Sequence, residues 1–147
     1  MPRALRLQAI RLTQKKFTVS AVAVVSNEEG KVLLLDHLLR PGAGWALPGG
    51  FIEGGEQAEA AIKREIREET TLQLENVRLL HVRTIGAHVE ILFRAEASGK
   101  PVPNSAEIKA AGWFSPDDVP GETRGIQKRI IREVLEQKQS AAEAPNL

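Results

Sequence analysis

Residues 56–70, which read EQAEAAIKREIREET, constrain the fold more than any other segment because they contain no glycine and no proline. Their apolar residues recur at spacings of three and four positions, which places them on one side of an α-helix. These residues are Ala58, Ala61, Ile62 and Ile66. The other positions are mostly charged and favour helix. The segment therefore predicts a mid-chain amphipathic helix that packs its apolar side against another layer.

Runs of β-branched and other apolar residues on both sides of this helix predict strands. The predicted strands are residues 17–25, 31–36, 77–84, 89–97 and 110–114. The first two flank the turn residues SNEEG and are expected to pair as a β-hairpin. Residues 126–137 predict a second, C-terminal helix. Strands separated in this way by two helices predict an α/β (α+β) domain with a mixed sheet.

Length and composition narrow the classes of protein to which the chain can belong. Its 147 residues predict a single domain over 1–147, with a basic N-terminal segment at 1–16 and a frayed tail at 140–147. A net charge of +1 argues against bulk nucleic-acid binding. The absence of cysteine excludes disulfides and thiolate zinc sites. No apolar run approaches transmembrane length, so we expect no membrane contact. The absence of cysteine fits a reducing cytoplasm, which is the expected location.

Three glutamates share one side of the predicted helix, because Glu65, Glu68 and Glu69 lie three and four residues apart. Like charges at this spacing repel, and carboxylates near a helix C-terminus oppose the helix dipole. A bound Mg²⁺ or Mn²⁺ would reverse both penalties, since hard cations prefer oxygen ligands. Taken alone, the helix is explained more simply by a solvated acidic face with an ordinary ion pair between Arg64 and Glu68.

The loop before the helix shifts this balance. Gly49, Gly50, Gly54 and Gly55 allow its backbone to approach a ligand without side-chain obstruction. A glycine-rich loop leading into an acidic helix suits a metal-bound diphosphate.

Together the loop and helix resemble the Nudix box, whose pattern is GX5EX7REUXEEXGU with U an aliphatic residue. The matching positions are Gly50, Glu56, Arg64, Glu65, Ile66, Glu68, Glu69 and Leu72. Thr71 departs from the pattern, because the box has glycine there. The flanking residues 45–49 and 113–114 are also similar to the family layout, so the resemblance covers roughly residues 17–137. It implies a Nudix-type α/β/α sandwich, in which the mixed sheet lies between helices.

The same resemblance implies roles for individual residues. It assigns metal ligation to Glu65, Glu68 and Glu69, and it assigns Glu56 either to bracing the loop or to a further ion. Arg64 would orient these carboxylates. The implied reaction is attack of water on a phosphoric anhydride of a nucleoside diphosphate derivative, with Mg²⁺ or Mn²⁺ as cofactor.

Other candidate residues lie outside the helix. Glu107, six residues before Trp113, is at a position resembling the one where the family often places a general base or a completing ligand, and Glu68 and Glu69 are the alternatives. Gly49, Gly50 and Arg40 are predicted substrate contacts, although exposed loop arginines are usually solvated.

Three aromatic or imidazole side chains are further, weaker candidates. Core packing is the expected use of Trp45 and Phe51, and His88 is a weak candidate for a substrate contact.

Thr71 is expected to keep an ordinary backbone, with the helix end shifted.

The substrate itself has no marker residue in the sequence. ADP-ribose or another nucleotide sugar leads, a nucleoside triphosphate is the alternative, and a non-catalytic Nudix-fold binding module is a third reading. No proline lies between Pro48 and Pro101, and the chain has no tyrosine, so the usual markers for ADP-ribose and dinucleoside polyphosphates are missing. The expected partner is a small nucleotide-type diphosphate, with a homodimer as one option.

Overall fold

The computed structural model describes residues 1–39 and 44–143, and it describes side chains within these ranges up to residue 140. The helices are α1 (Arg3–Thr13), α2 (Ala58–Thr70) and α3 (Gly125–Glu143). The strands are β1 (Thr18–Ser26), β2 (Val32–His37), β3 (Trp45–Ala46), β4 (Gly49–Phe51), β5 (Glu75–Ile85), β6 (His88–Glu96) and β7 (Ile108–Phe114). A short 3-10 helix, Pro116–Asp118, follows β7.

The strands form one seven-stranded sheet with the order β3-β2-β1-β6-β5, in which β4 also pairs with β1 and β7 with β2. β1 and β6 run parallel, whereas the other pairs are antiparallel. Helix α2 packs on one face of the sheet and α3 on the other. This arrangement confirms the predicted mixed sheet between helices.

Strand β1 shows why its sequence is a nearly continuous apolar run. Ala21, Ala23 and Val25 face the core under α2, while Val22 and Val24 face the core under α3. A central strand that is covered on both faces needs apolar residues at successive positions rather than at alternate ones. β1 therefore forms the centre of both cores.

The predicted hairpin between residues 17–25 and 31–36 forms, because β1 and β2 pair antiparallel across the turn, but it is short. Within these fully described strands, β1 and β2 pair at Ser26 and Val32 alone. Beyond that point β1 pairs with β4 and β6, and β2 pairs with β3 and β7. Pairing with distant strands places both sides of β1 inside the sheet, which a simple hairpin would not do.

The glycine-rich loop is shorter than predicted because residues 49–51 form β4. Gly49 lies so close to β1 that a β-carbon on it would come within 2.3 Å of the Ala21 carbonyl oxygen. Only a residue without a side chain allows this approach, so Gly49 is needed for pairing rather than for loop freedom.

Both ends of the chain differ from the prediction. The N-terminal segment contains α1, a helix that was not predicted and that buries no residue. α3 continues to Glu143, so residues 140–143 are helical rather than frayed, and residues 144–147 lie outside the described part. No helix in the described ranges combines the length and apolarity needed to cross a bilayer.

Candidate active site

A tight turn places Glu56 beside the first residues of α2. The Glu56 amide donates to the Glu53 carbonyl at 3.1 Å, and the Glu53 amide donates to Glu56 Oε1 at 3.2 Å. Gly55 has a φ of +80°, a left-handed backbone that glycine adopts without steric cost. The predicted helix therefore begins two residues late, at Ala58, and leaves Glu56 free to point back toward α2.

Arg64 joins this loop to the acidic side of the helix. Its Nε and Nη2 donate to the two oxygens of Glu56 at 2.7 and 2.9 Å, a bidentate pair. Its Nη1 donates to Glu65 Oε1 at 2.9 Å and to Glu68 Oε2 at 3.2 Å. Nη2 also donates to the Phe51 carbonyl at 3.3 Å. One guanidinium thus holds three carboxylates and the end of β4, and we call these four side chains the Arg64 cluster.

Gly50 provides the space that Glu65 occupies. A β-carbon on Gly50 would lie 2.4 Å from the Glu65 carboxyl carbon and 2.6 and 2.7 Å from its two oxygens. The first glycine of the box therefore acts as a cradle for a carboxylate on the facing helix. Gly49, which precedes Gly50 in β4, pairs with Val22 of β1, and this pairing fixes the position of the cradle.

The electrostatics of the cluster differ from one carboxylate to the next. The hydrogen bond from Arg64 lowers the pKa of Glu56, and burial raises the pKa of Glu65, with the Arg64 hydrogen bond opposing that rise. The hydrogen bond to Glu56 raises the pKa of Arg64, so this guanidinium stays charged. A cation near Glu65 would favour its charged form, because opposite charge offsets the cost of burial.

The three predicted ligands of α2 do not share one exposed patch. The side chain of Glu68 is 60% exposed, whereas Glu69 is buried, with an exposed fraction of 6%. Adjacent helical residues point about 100° apart, so they cannot lie on the same side. Across the described ranges, no three Asp, Glu or His side chains lie close enough together to hold an ion. The carboxylate donors of the cluster nevertheless suit a hard cation such as Mg²⁺ or Mn²⁺.

The helix end at Thr71 contradicts the expectation of an ordinary backbone there. Thr71 has φ 67° and ψ −2°, the left-handed conformation that glycine favours, and its amide donates to the Arg67 carbonyl at 2.9 Å. The Leu72 amide donates to Thr70 Oγ1 at 3.2 Å, and Leu72 is buried. The chain must reverse at this point to bury Leu72, so the backbone keeps the conformation although the residue is threonine.

Glu107 lies in an anchored loop. The amides of Val102 and Asn104 donate to the carbonyls of Thr70 and Glu69 at 3.0 Å each, which ties the loop to the end of α2. Glu107 is exposed, and its carbonyl accepts from the Leu38 amide at 2.9 Å. No hydrogen bond joins its side chain to any described residue of the Arg64 cluster. Arg40, the predicted substrate contact, falls outside the described residues.

The aromatic residues near the loop divide into two groups. Trp45 packs edge-on against Phe114 with ring centroids 4.9 Å apart, in agreement with core packing. The same expectation is wrong for Phe51, whose exposed fraction is 64%. β4 ends at Phe51, and the Phe51 ring belongs to neither core cluster.

His88 belongs to a polar cluster that the sequence reading missed. Its ring centroid lies 6.0 Å from that of Phe51, with the two rings nearly perpendicular, and its two nitrogens hydrogen-bond with Thr18 Oγ1 at 2.7 Å and Ser20 Oγ at 2.8 Å. The one signal for it was Ser20, a buried polar residue inside an apolar strand.

Comparisons with known proteins bear on the family of the chain. The family model of the NUDIX domain matches residues 16–134. A MutT-like protein of Streptomyces ambofaciens is 35% identical over 104 residues, which cover 69% of this chain and 66% of that protein. An NAD-capped RNA hydrolase NudC of Pseudomonas aeruginosa is 29% identical over 138 residues, covering 87% of this chain and 48% of that protein. An 8-oxo-dGDP phosphatase of Mus musculus is 33% identical over 117 residues, covering 76% and 36%.

Among solved structures, the MutT NUDIX hydrolase from Burkholderia pseudomallei matches with a TM-score of 0.69 and 34% identity, covering 83% of this chain and 98% of that one. The curated relatives are longer, and the chain spans 66%, 48% and 36% of their lengths. The family model covers most of the chain and includes the whole box. The chain therefore belongs to the Nudix family.

Proposed function

We propose that the chain hydrolyses a phosphoric anhydride in a nucleoside diphosphate derivative with the help of a divalent cation. The Arg64 cluster carries this proposal, since it concentrates three carboxylates beside the glycine strand that precedes the helix. Carboxylates gathered in this way offer the oxygen ligands that Mg²⁺ and Mn²⁺ prefer. The family membership supports the same reaction class.

The residues of the cluster fit distinct tasks. Glu65 and Glu68 would hold Mg²⁺ or Mn²⁺, with Glu69 and Glu56 as further ligands. The cation, when bound, would neutralise phosphate charge and lower the pKa of the attacking water. Arg64 orients the carboxylates, because it already contacts Glu56, Glu65 and Glu68 directly.

Proton transfer needs a further carboxylate. Water attacks one phosphorus of the anhydride, the bond from that phosphorus to the bridging oxygen breaks, and a carboxylate takes the proton of the water. Glu107 is the first candidate for this base, and Glu68 and Glu69 are the alternatives. Gly49, Gly50 and Arg40 are proposed to contact the substrate. The loop that carries Glu107 is tied to the C-terminal end of α2 through the amides of Val102 and Asn104.

We propose two substrate classes. The first is ADP-ribose or another nucleotide sugar. A nucleoside tri- or diphosphate is the second, and it is favoured by the similarity to an 8-oxo-dGDP phosphatase. Both contain a nucleoside diphosphate, so the Arg64 cluster would serve either reaction and the choice lies with contacts to the rest of the substrate.

A panel of substrates tests the proposal and separates the two classes. ADP-ribose, NAD, 8-oxo-dGDP and the common nucleoside triphosphates are incubated with the chain and Mg²⁺ or Mn²⁺. We expect metal-dependent release of a nucleoside monophosphate from at least one of them. Cleavage of ADP-ribose without the triphosphates selects the first class, and the reverse selects the second. No cleavage with either metal would contradict the enzymatic proposal and favour a binding module.

A further inference from the structure

Two arginines face each other on the side of the sheet that α3 covers. Arg78 of β5 and Arg94 of β6 are cross-strand partners, and Arg94 also pairs with Val24 of β1. Both line a cavity of about 190 Å³, together with Ser26, Asn76 and Lys138. One water molecule takes roughly 30 Å³ in the liquid, so the cavity has room for a group of several heavy atoms. We call it the arginine cavity.

The arginine pair is costly as it stands. Like charges directly opposite each other on neighbouring strands destabilise a sheet, whereas opposite charges stabilise it. Neither Arg78 nor Arg94 forms a salt bridge with any described residue. Arg94 is half-buried, which reduces the solvation of its charge. An anion between the two guanidiniums would relieve both the repulsion and the desolvation.

Among the described residues, one carboxylate lines the arginine cavity, and it is already engaged. Glu96 accepts from Lys138 Nζ at 2.7 Å and from Asn76 Nδ2 at 2.8 Å. These hydrogen bonds, first from Lys138 and then from Asn76, lower the pKa of Glu96, and the charge of Arg94 acts in the same direction. Three cations therefore share one acid, and the cavity keeps a positive charge.

Other groups complete the lining. Lys138 Nζ also donates to Ser26 Oγ at 3.1 Å, and Ser26 is buried. This contact fixes the ammonium between α3 and the end of β1, at the wall of the cavity. A planar guanidinium offers paired donors that match phosphate oxygens, and an ammonium adds a point charge. The three cationic groups thus match the needs of an oxyanion.

The cavity is separate from the Arg64 cluster. Gly50, which cradles Glu65, pairs with Ala21, whose side chain faces α2. Val24 and Ser26 lie three and five residues further along β1, roughly 10 to 17 Å away at the rise of a strand. Val24 faces α3, so the two sites also lie on opposite faces of the sheet.

We propose that the arginine cavity is a second binding site, which takes a phosphate-type oxyanion between Arg78, Arg94 and Lys138. A free phosphate or pyrophosphate and the phosphate of a lipid headgroup share this chemistry. The site does not depend on the hydrolytic function, because none of its residues belongs to the Arg64 cluster.

The test measures binding of inorganic phosphate and pyrophosphate to the whole chain. EDTA is present throughout, so that metal-supported binding at the box does not contribute. Titration followed by amide NMR reports on residues 78, 94 and 138 separately from the box helix. We compare the wild type, Arg78→Gln, the double variant R78Q/R94Q and the control K100Q/R129Q, which removes two exposed charges elsewhere.

We expect saturable shifts at residues 78, 94 and 138 in the wild type and the control. Binding should weaken roughly tenfold in Arg78→Gln and further in the double variant, since hydrogen bonds to charged groups are among the stronger ones. The exposed Arg78 makes the single variant safe for folding. No saturable shift in the wild type, or equal weakening in the control, would overturn the proposal.

A second arm distinguishes the two sources of phosphate. Vesicles of phosphatidylcholine with and without phosphatidic acid are sedimented with the same proteins. Binding in solution without retention on phosphatidic acid vesicles supports a soluble phosphate ligand. Retention that is lost in R78Q/R94Q and kept in K100Q/R129Q supports a lipid headgroup, and retention that survives in R78Q/R94Q would contradict a role of the cavity in it.

Discussion

Gly50 and Glu65 meet across the interface between β4 and α2, where a β-carbon on the glycine would come within 2.4 Å of the carboxyl carbon of the glutamate. This relationship links the two halves of the box. The glycine provides a cradle in the strand, and the helix fills it with a carboxylate that Arg64 holds from the other side.

Gly50→Ala tests whether this cradle matters for activity. The new methyl group should push the Glu65 carboxylate aside, because the flexible end of the side chain yields before the backbone does. We expect turnover to fall roughly 10²-fold with the fold retained, as small displacements in an active site can cost that much. Gly54→Ala is the matched control, since nothing lies within 4 Å of a β-carbon there. Equal kinetics in both variants would show that the position of Glu65 is unimportant.

Thr71→Gly should stabilise the protein. Thr71 has a φ of 67°, where a β-branched residue is strained and glycine is not. We expect the free energy of unfolding in urea to rise by about 1 kcal/mol. Gln73→Gly, at a neighbouring position with ordinary φ, should instead lower it by about 0.4–1 kcal/mol. A loss of stability in Thr71→Gly would mean that the threonine is not strained.

Glu107→Gln tests the identity of the general base. If Glu107 takes the proton of the attacking water, turnover should fall by roughly 10²–10⁴-fold while KM stays nearly constant. Asn104 lies in the same loop as Glu107, and its backbone amide donates to the carbonyl of Glu69 on α2. The control variant Asn104→Ala therefore keeps this hydrogen bond. If Glu107→Gln turns over as fast as the wild type, Glu107 is not the general base, and Glu68 or Glu69 would be the candidates.

The ion pair between Glu96 and Lys138 predicts a pH-dependent contribution to stability. Lys138 and then Asn76 lower the pKa of Glu96 below its ordinary value of 4.5, so the folded state binds fewer protons than the unfolded state near that pH. The contribution is therefore present above pH 4.5 and is lost as the pH falls through the lowered folded pKa. Solvent screens this partly exposed pair, so the effect should be small.

Urea unfolding of the wild type and Glu96→Gln at neutral and at strongly acidic pH measures this contribution. The stability difference between them should be larger at neutral pH and should shrink in acid. Glu133→Gln, an exposed change on α3, should show no such trend. A difference that stays constant with pH would argue against the ion pair as its source.

Local patterns in the sequence predicted local structure well. The spacing in residues 56–70 predicted α2, whose observed range is Ala58–Thr70. The apolar runs at residues 77–84 and 89–97 predicted two strands, and the structure pairs them as β5 and β6, with Ile85 opposite His88. Both cases depend on residues within a few positions of one another, for which periodicity and turn chemistry are sufficient.

Pairing between distant residues was not predictable in the same way. β1 lies parallel to β6, with Thr18 opposite His88, and nothing in either strand specifies the other. β1 needs hydrogen-bonded partners along both of its edges, and β4 and β6 supply them from distant parts of the chain. The same limit applies to the arginine cavity, because Arg78 and Arg94 become neighbours only through strand register.

The candidate site was predictable in composition but not in orientation. The box spacing selects Glu65, Glu68 and Glu69, yet Glu69 turns inward while Glu68 remains exposed. Thr71 shows a similar limit. A threonine favours a backbone with negative φ, whereas the burial of Leu72 requires the left-handed conformation that the structure shows.

The most direct test of the account is the Mn²⁺ dependence of hydrolysis in Glu68→Gln and Glu59→Gln, measured on the best substrate of the panel. Both residues are exposed glutamates on α2, but Glu68 belongs to the Arg64 cluster, whereas Glu59 pairs only with Lys63 among the described residues. We predict that Glu68→Gln loses at least roughly 10²-fold in metal-supported turnover with unchanged folding, and that Glu59→Gln keeps wild-type activity. Full activity in Glu68→Gln, or an equal loss in both variants, would contradict the claim that the Arg64 cluster is the catalytic metal site.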